Sequence, residues 1–328
     1  MVEAITKDLS EGVKTLAKYV QEGFSTERPQ QRREHVITGK IDSSKFKPIE
    51  KLPSYDAKFA AVDCSTRTLK RANNWGIYLF RVAYAMVERR EVDWDYREKV
   101  KVLLGSSNVR YRMMRIFRLE VESELALSLT GRLNSSDYLL LDGASYFGEK
   151  TGFSTSLYEQ CKRKTVNLLA FSKQSPALHD ELGRDFQATA QLVAPHPIWV
   201  YHPVTEADLK EHLYGDVSLV KLCKESPRVF RCDIMKYLIN RDVADVVSPL
   251  TAVSEDPRCL GYPVPLRLAH EFSATSDSKL LYYYERVESL LKEAGIYDRL
   301  RKEELACSFA DELHGIRYPF ERELFEYV

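Results

Sequence analysis

The sequence predicts an α/β protein, and three observations carry that prediction. First, two short apolar runs each end on a carboxylate followed by small residues: Phe59-Ala60-Ala61-Val62-Asp63-Cys64-Ser65 and Tyr138-Leu139-Leu140-Leu141-Asp142-Gly143-Ala144-Ser145. Apolar runs of this length bounded by turn residues read as buried strands. Second, residues 75–104 are rich in β-branched and aromatic side chains, which suit strands. Third, segments of helical hydrophobic spacing lie between and beyond these runs. A single Asp at a strand end is as readily the start of a turn as a ligand. The same device used twice delivers two carboxylates, which is how a protein assembles a site for hard divalent cations.

With 328 residues the chain is long enough for one large or two ordinary domains. Hydrophobic residues at 44% and charged residues at 29% exclude a disordered chain. The formal net charge is zero, which excludes a strongly basic nucleic-acid binder but leaves room for a local basic groove. No apolar run approaches the roughly 18 residues needed to span a bilayer, so no membrane partner is expected. Residues 1–19 are amphipathic and carry acids, unlike a signal or transit peptide, and the cytoplasm is the expected compartment. Cys64, Cys161, Cys223, Cys232, Cys259 and Cys307 are scattered without a CxxC pair. They read as small buried hydrophobes rather than as a zinc or redox motif.

In chain order, Ile5, Leu9, Val13, Leu16, Ala17 and Val20 predict an amphipathic helix over 3–22, placed to pack on the core or to meet a partner. Residues 25–55, with Arg28-Pro29-Gln30-Gln31-Arg32-Arg33, read as a connecting segment. A first strand closes at Asp63, and residues 75–87 and 92–104 predict two more strands in a meander. Residues 109–130 predict a helix with Met113, Met114, Phe117, Val121 and Leu125 on its buried face. Glu120 and Glu124 fall on or beside that face, and Glu122 on the far side. A core-facing carboxylate is costly unless paired or metal-bound, so Glu120 and Glu124 are candidates for a third ligand; the alternative is a solvated Glu at the edge of the stripe. The same helix carries Arg110, Arg112, Arg115 and Arg118, either a phosphate-facing set or an ordinary charged face.

After the strand ending at Asp142, a helix over 154–164 ends in Lys162-Arg163-Lys164, and a strand over 166–171 closes on Ser172-Lys173. Short strands are expected at 198–202, 217–222 and 229–232, with helical patterns near 206–213 and 235–241. In Gly261-Tyr262-Pro263-Val264-Pro265-Leu266-Arg267-Leu268-Ala269-His270, two prolines force an extended entry into a helix over 266–273. A lone His on a helix is ordinarily structural. Here a stiffened segment holds a Tyr and a His at short range, which points to a shared site. Helices over 277–294 and 298–313 close the chain, and its apolar end (Tyr318-Pro319-Phe320 to Phe325-Glu326-Tyr327) suits internal packing or an interface equally.

Taken in this order, the pieces resemble the NurA family of nucleases. The matching stretches are Ala61-Val62-Asp63-Cys64-Ser65, the Glu-bearing helix at 113–127, Leu140-Leu141-Asp142-Gly143, the strand ending in Ser172-Lys173, Arg231-Cys232-Asp233, and Gly261-Tyr262-Pro263 through Ala269-His270. They span residues 58 to 275. The resemblance implies an RNase H-like core with a mixed central β-sheet flanked by helices. It divides the chain into an N-terminal helix and connecting segment (1–55) and a nuclease domain (56–328). It further implies a manganese-dependent DNA nuclease, with 5′–3′ exonuclease and single-strand endonuclease activity. Such a nuclease works as a homodimer with the hexameric HerA ATPase translocase in archaeal double-strand-break resection and homologous recombination.

By position, Asp63 and Asp142 would be metal ligands together with a helix acid, Glu120 being favoured over Glu124. His270 would be a further ligand and Tyr262 a neighbour of the reacting phosphate. The family usually has glycine where this chain has Cys64, a change that narrows the approach to Asp63. The expected chemistry is metal-assisted phosphodiester hydrolysis, with Asp63 bridging two cations about 4 Å apart. Manganese suits a mixed carboxylate and imidazole site better than magnesium, which is the alternative. Arg110, Arg112 and Lys173 are the expected DNA contacts, with Arg115 and Lys162-Arg163-Lys164 as further candidates. Two other readings stand beside this one. One is a catalytically inactive interaction subunit of a translocase complex. The other is an RNase H-like nuclease acting on RNA or hybrids, a choice that contacts to the 2′-hydroxyl decide.

Overall fold

The run from Phe59 to Val62 is apolar at four consecutive positions, and all four side chains are buried. That pattern belongs to a strand covered on both faces. The computed structural model places it inside a large sheet with helices on either side. The structure describes residues 2–23, 37–89, 91–143, 152–173, 178–211, 213–316 and 318–322. In chain order these form helix α1 (Val2–Glu22), strands β1 (Ile37–Gly39), β2 (Phe46–Pro48), β3 (Lys58–Arg71), β4 (Trp75–Glu88) and β5 (Glu91–Leu104), and helix α2 (Ser107–Leu129). Strand β6 (Tyr138–Asp142), helix α3 (Gly152–Lys164), strands β7 (Asn167–Ser172) and β8 (Leu178–Asp180), helix α4 (Phe186–Val193) and strands β9 (Trp199–Thr205), β10 (Gly215–Lys221) and β11 (Phe230–Met235) follow. Helices α5 (Val243–Val247), α6 (Val264–Ser273), α7 (Asp277–Glu293), α8 (Tyr297–Leu313) and α9 (Pro319–Arg322) complete the described chain.

Among the described residues, nine strands form one sheet in the order β2-β9-β10-β11-β7-β6-β3-β4-β5, while β1 and β8 make a separate parallel pair. Strands β3, β4 and β5 form the expected antiparallel meander. Strand β6 joins β3 in parallel and β7 joins β6 in parallel. A meander whose first strand is extended by two successive parallel strands is the arrangement of an RNase H-like core, so the α/β class and the mixed sheet are as the sequence predicts. Strands β11, β10 and β9 extend this core antiparallel.

Side chains alternate across the meander. On one face Phe80 meets Phe117 of α2 edge to face, with ring centroids 4.7 Å apart. On the other, Leu69, Trp75, Ile77 and Leu79 form a cluster with Ile5, Leu9, Val13 and Leu16 of α1 and Leu280 and Val287 of α7. The first helix therefore packs on the core. It also reaches the sheet edge, where Asp8 accepts a hydrogen bond from the Val100 amide of β5 at 3.0 Å.

The structure corrects several expectations about elements. Strand β3 does not close at Asp63. It continues to Arg71 because β4 pairs with it along its length, and only the pairing with β6 stops after Val62. The helices expected near 206–213 and 235–241 are 3-10 turns, Leu209–Glu211 and Lys236–Leu238, the second followed by α5. The segment read as a connection contributes β1 and β2, the latter pairing with β9. Strand β8 and helix α4 are additional; Asp185 caps α4 by accepting from the Ala188 amide at 2.7 Å. The stretch Arg28 to Arg33, residues Ala144 and Ser145, and the end Phe325 to Tyr327 lie outside the described residues. No helix among the described residues is long and apolar enough to cross a membrane.

Candidate metal centre

Parallel pairing of β3 with β6 ends at Val62 and Leu141. The next residue on each strand is an aspartate, so Asp63 and Asp142 lie side by side where the two strands part. After Asp142 the chain leaves the sheet through Gly143, whose φ of 110° favours glycine. Across the sheet, Asp63 opposes Ala83 and Ala61 opposes Ala85. These small side chains let α6 lie over β3 and β4. The start of α6 is fixed by its sequence. Gly261 takes φ 85°, where an added Cβ would come within 2.8 Å of the Ser226 hydroxyl, and Pro265 occupies the first turn. Leu266, Ala269 and Ser273 are buried, and His270 sits beside that stripe with its side chain 61% exposed. Its Nδ1 lies 2.7 Å from Asp63 Oδ2. One donor atom each from Asp63, Asp142 and His270 falls within 4.8 Å of the others.

Three cationic or polar groups border this cluster. Arg118 of α2 reaches both Asp63, at 3.6 Å, and Glu122, at 3.4 Å. Lys173, just past β7, lies 2.7 Å from Asp142 and 5.7 Å from the centre of the Tyr262 ring. The Tyr262 hydroxyl is buried beside Asp142 without a hydrogen bond of normal geometry. The Cys64 amide donates to Asp63 Oδ1 at 2.7 Å, while the thiol is buried. Cys64 has no left-handed backbone, so its position does not call for glycine.

The electrostatics separate the carboxylates. Burial opposes ionisation of Asp63, but the His270 hydrogen bond and the charges of Arg118 and Lys173 outweigh it and hold the carboxyl below its usual range. Burial and the neighbouring Asp63 push Asp142 up, against the pull of Lys173. Burial pushes Glu122 up to about 8, with Arg118 opposing and the charges of Asp63 and Asp142 adding to the rise. Burial and the same two aspartates push the Tyr262 hydroxyl well above its ordinary value, so it stays a proton donor at neutral pH. Buried carboxylates such as Asp142 and Glu122, whose pKa burial and a neighbouring carboxylate raise, are in the environment a divalent cation relieves. A donor set of carboxylate oxygens and one imidazole fits a divalent cation.

The structure therefore brings Asp63, Asp142, Tyr262, His270 and Lys173 together, and it reverses the phase assumed for α2. Glu122, placed on the far side by the sequence reading, is buried between Arg118 and the two aspartates. Glu124 is exposed and pairs with Lys99 at 3.0 Å. Glu120 is half-buried and lies about 160° around the helix from Glu122. Met113, expected inside, is exposed. Arg110, expected at DNA, is buried and donates to the carbonyls of Asn73 and Gly105 and to the Tyr78 hydroxyl. Arg112 is exposed. The signal that pointed to Glu122 is its spacing of four from Arg118, which allows an ion pair on one helix face.

The fold and this cluster define a class: an RNase H-like chain with paired strand-end aspartates and a helix-borne histidine. Its particular fold is that of NurA. The structure superposes on the NurA nuclease from Sulfolobus solfataricus with a TM-score of 0.59 at 15% identity, covering 87% of this chain and 95% of that one. A second NurA structure gives 0.52 at 9% identity, with 89% and 96% covered. A structure of NurA with manganese gives 0.50 at 11% identity, with 89% and 97% covered. At these identities the likeness is one of fold. No family model matches the sequence, and no curated protein matches it.

Proposed function

We propose that this chain is a metal-dependent DNA nuclease. The observation that carries the proposal is the Asp63–Asp142–His270 cluster at the fork between β3 and β6, in a chain of NurA fold. A divalent cation bound there supplies Lewis acidity for activating water and for stabilising the leaving oxygen of a phosphodiester. Asp63 and Asp142 hold it through carboxylate oxygens, and His270 through its imidazole. Glu122 is the remaining buried acid at the site and the donor that a second cation would use; Arg118 lies 3.4 Å from its carboxyl. Lys173 brings positive charge to the Asp142 side of the site. The buried Tyr262 hydroxyl beside Asp142 is a donor for a phosphate oxygen. Manganese is the proposed cation, supported by the donor set and by the manganese-containing NurA structure.

The same reading makes the protein a DNA-end-processing nuclease with exonuclease and single-strand endonuclease activity, acting as a homodimer with a HerA-type hexameric translocase. Light scattering measures the first association, and co-elution with such a translocase measures the second.

The central test incubates the protein with end-labelled single- and double-stranded DNA, RNA and hybrids, in manganese, magnesium or chelator, beside Asp63→Asn. Manganese-dependent DNA cleavage lost in the variant supports the proposal. Thermal unfolding provides a second readout: at 100 times the dissociation constant, bound metal stabilises by about 2.7 kcal/mol. Neither cleavage nor metal stabilisation would overturn the proposal and favour an interaction subunit, while cleavage confined to RNA or hybrids would reassign the substrate.

A further inference from the structure

Helix α2 changes character halfway along one face. In its C-terminal half, the stripe through Glu122, Ala126 and Leu129 is buried. Continued toward the N-terminus at four- and three-residue steps, the same stripe holds Arg118, Arg115 and Tyr111, and there it comes into the open. Arg118 is 41% exposed at its side chain, Arg115 is exposed, and Tyr111 is 49% exposed. From Glu122 to Tyr111 the stripe covers about 16 Å along the helix axis.

The charge on this half-helix is one-sided. Residues 107–119 contain Arg110, Arg112, Arg115 and Arg118 and no acidic residue. Arg110 is committed to carbonyls inside the fold. Arg112, Arg115 and Arg118 follow at three-residue spacing, where like charges on a helix surface repel. Among the described residues, neither Arg112 nor Arg115 has an ion-pair partner. Tyr111 is an exposed aromatic ring at the outer end of the row. The row starts at Arg118, which pairs with Asp63 and Glu122 of the acidic cluster, runs past Arg115, which has no ion-pair partner among the described residues, and ends in an exposed aromatic ring; it is complementary to a polyanion that carries flat bases.

We propose that the Arg118–Arg115–Tyr111 stripe is the path of single-stranded DNA running outward from the metal centre, with the two arginines meeting successive phosphates and Tyr111 stacking on a base. This inference rests on the nuclease reading and adds to it the route by which the strand leaves the site and the residues that line it. It also gives the neutral chain a local basic surface.

The test measures fluorescence anisotropy of a labelled 20-nucleotide oligothymidylate, in chelator to prevent cleavage, at several salt concentrations. The full chain is compared with Arg115→Gln, Tyr111→Ala, Tyr111→Phe and the control Lys302→Gln, an exposed lysine on α8. Arg115→Gln should weaken binding and reduce the slope of log affinity against log salt by about 0.7, the value for one phosphate contact on a single strand. Tyr111→Ala should weaken binding about fivefold or more, and Tyr111→Phe should restore it, since stacking needs the ring and not the hydroxyl. Lys302→Gln should bind like the wild type. The substituted side chains are exposed, and equal melting temperatures verify that each variant is folded. Wild-type affinity and salt slope in both Arg115→Gln and Tyr111→Ala would overturn the path, and DNA cleavage by the wild type in that case would leave the nuclease reading standing. A wild-type protein that binds no single strand and cleaves no DNA would overturn both.

Discussion

His270 Nδ1 and Asp63 Oδ2 are 2.7 Å apart although 207 positions separate the residues in sequence. The contact joins α6 to the middle of β3 and makes His270 the only proposed ligand whose side chain is mostly exposed. Replacing it with alanine should leave the two aspartates in place and weaken manganese affinity about tenfold or more. Isothermal titration against the wild type reads this directly, and unchanged affinity would remove His270 from the ligand set.

The reversed phase of α2 makes a comparison among three glutamates decisive. Glu122→Gln should lower manganese-dependent cleavage by about 100-fold, the upper end of the loss seen when a group supporting a metal is removed. Glu124→Gln should stay near wild-type activity, because its partner is a surface lysine in an exposed pair. Glu120→Gln should do the same. A large loss in Glu120→Gln or Glu124→Gln with none in Glu122→Gln would restore the assignment read from the sequence.

Lys70 is 1% exposed, with its ammonium 2.9 Å from Glu288, 3.2 Å from Glu304 and 2.8 Å from the Tyr284 hydroxyl. It ties β3 to α7 and α8. Lys70→Met would keep the volume but strand two carboxylates under the helices, at a cost of about 3–5 kcal/mol. Urea unfolding checks this. A cost below about 1 kcal/mol would mean that the acids find water or Arg301 instead.

Asp233 gives a pH-dependent stability of defined sign. Burial pushes its carboxyl up to about 6 even though Arg231 donates to it at 2.7 and 2.9 Å. In the unfolded chain it titrates near 3.8. Between these values the folded protein holds a proton that the unfolded chain has released. Its stabilising contribution is therefore complete below about 3.8, falls as the pH rises to about 6, and is flat above that. The full change is on the order of 3 kcal/mol. Asp233→Asn has no such dependence, so the free-energy difference between variant and wild type should move in the variant's favour from pH 4 to pH 6. A constant difference over that range would show that Arg231 keeps Asp233 ionised throughout.

Much of the site was legible because local pattern and position coincide. Asp63 and Asp142 follow apolar runs whose burial is forced, and Pro263 and Pro265 announce where the His270 helix begins. The acid on α2 was not legible. Its phase was inferred from one apolar stripe, whereas Leu119, Val121, Leu125, Ala126 and Leu129 leave the C-terminal half buried over most of its circumference. The packing of α3 against α2 supplies the second buried side, and no hydropathy period within α2 encodes a neighbour. Arg110 failed for a related reason. An arginine whose guanidinium satisfies two carbonyls and a tyrosine looks, in sequence, like any arginine on a charged helix. The end of β3 was misplaced because the turn-like Asp-Cys-Ser coincides with the loss of one neighbouring strand, not of both.

That last point has a consequence for how the site can change. Asp63 sits near the middle of a 14-residue strand that β4 pairs throughout. The backbone carrying the chemistry should be among the last to exchange its amide hydrogens, opening only when the whole molecule does. Substitutions that loosen the fold will therefore lower the amount of active protein before they distort the centre. New substrate preferences must instead come from the rim, where the strands part and helices present exchangeable side chains. The chain thus pairs an immobile anvil with a replaceable jig.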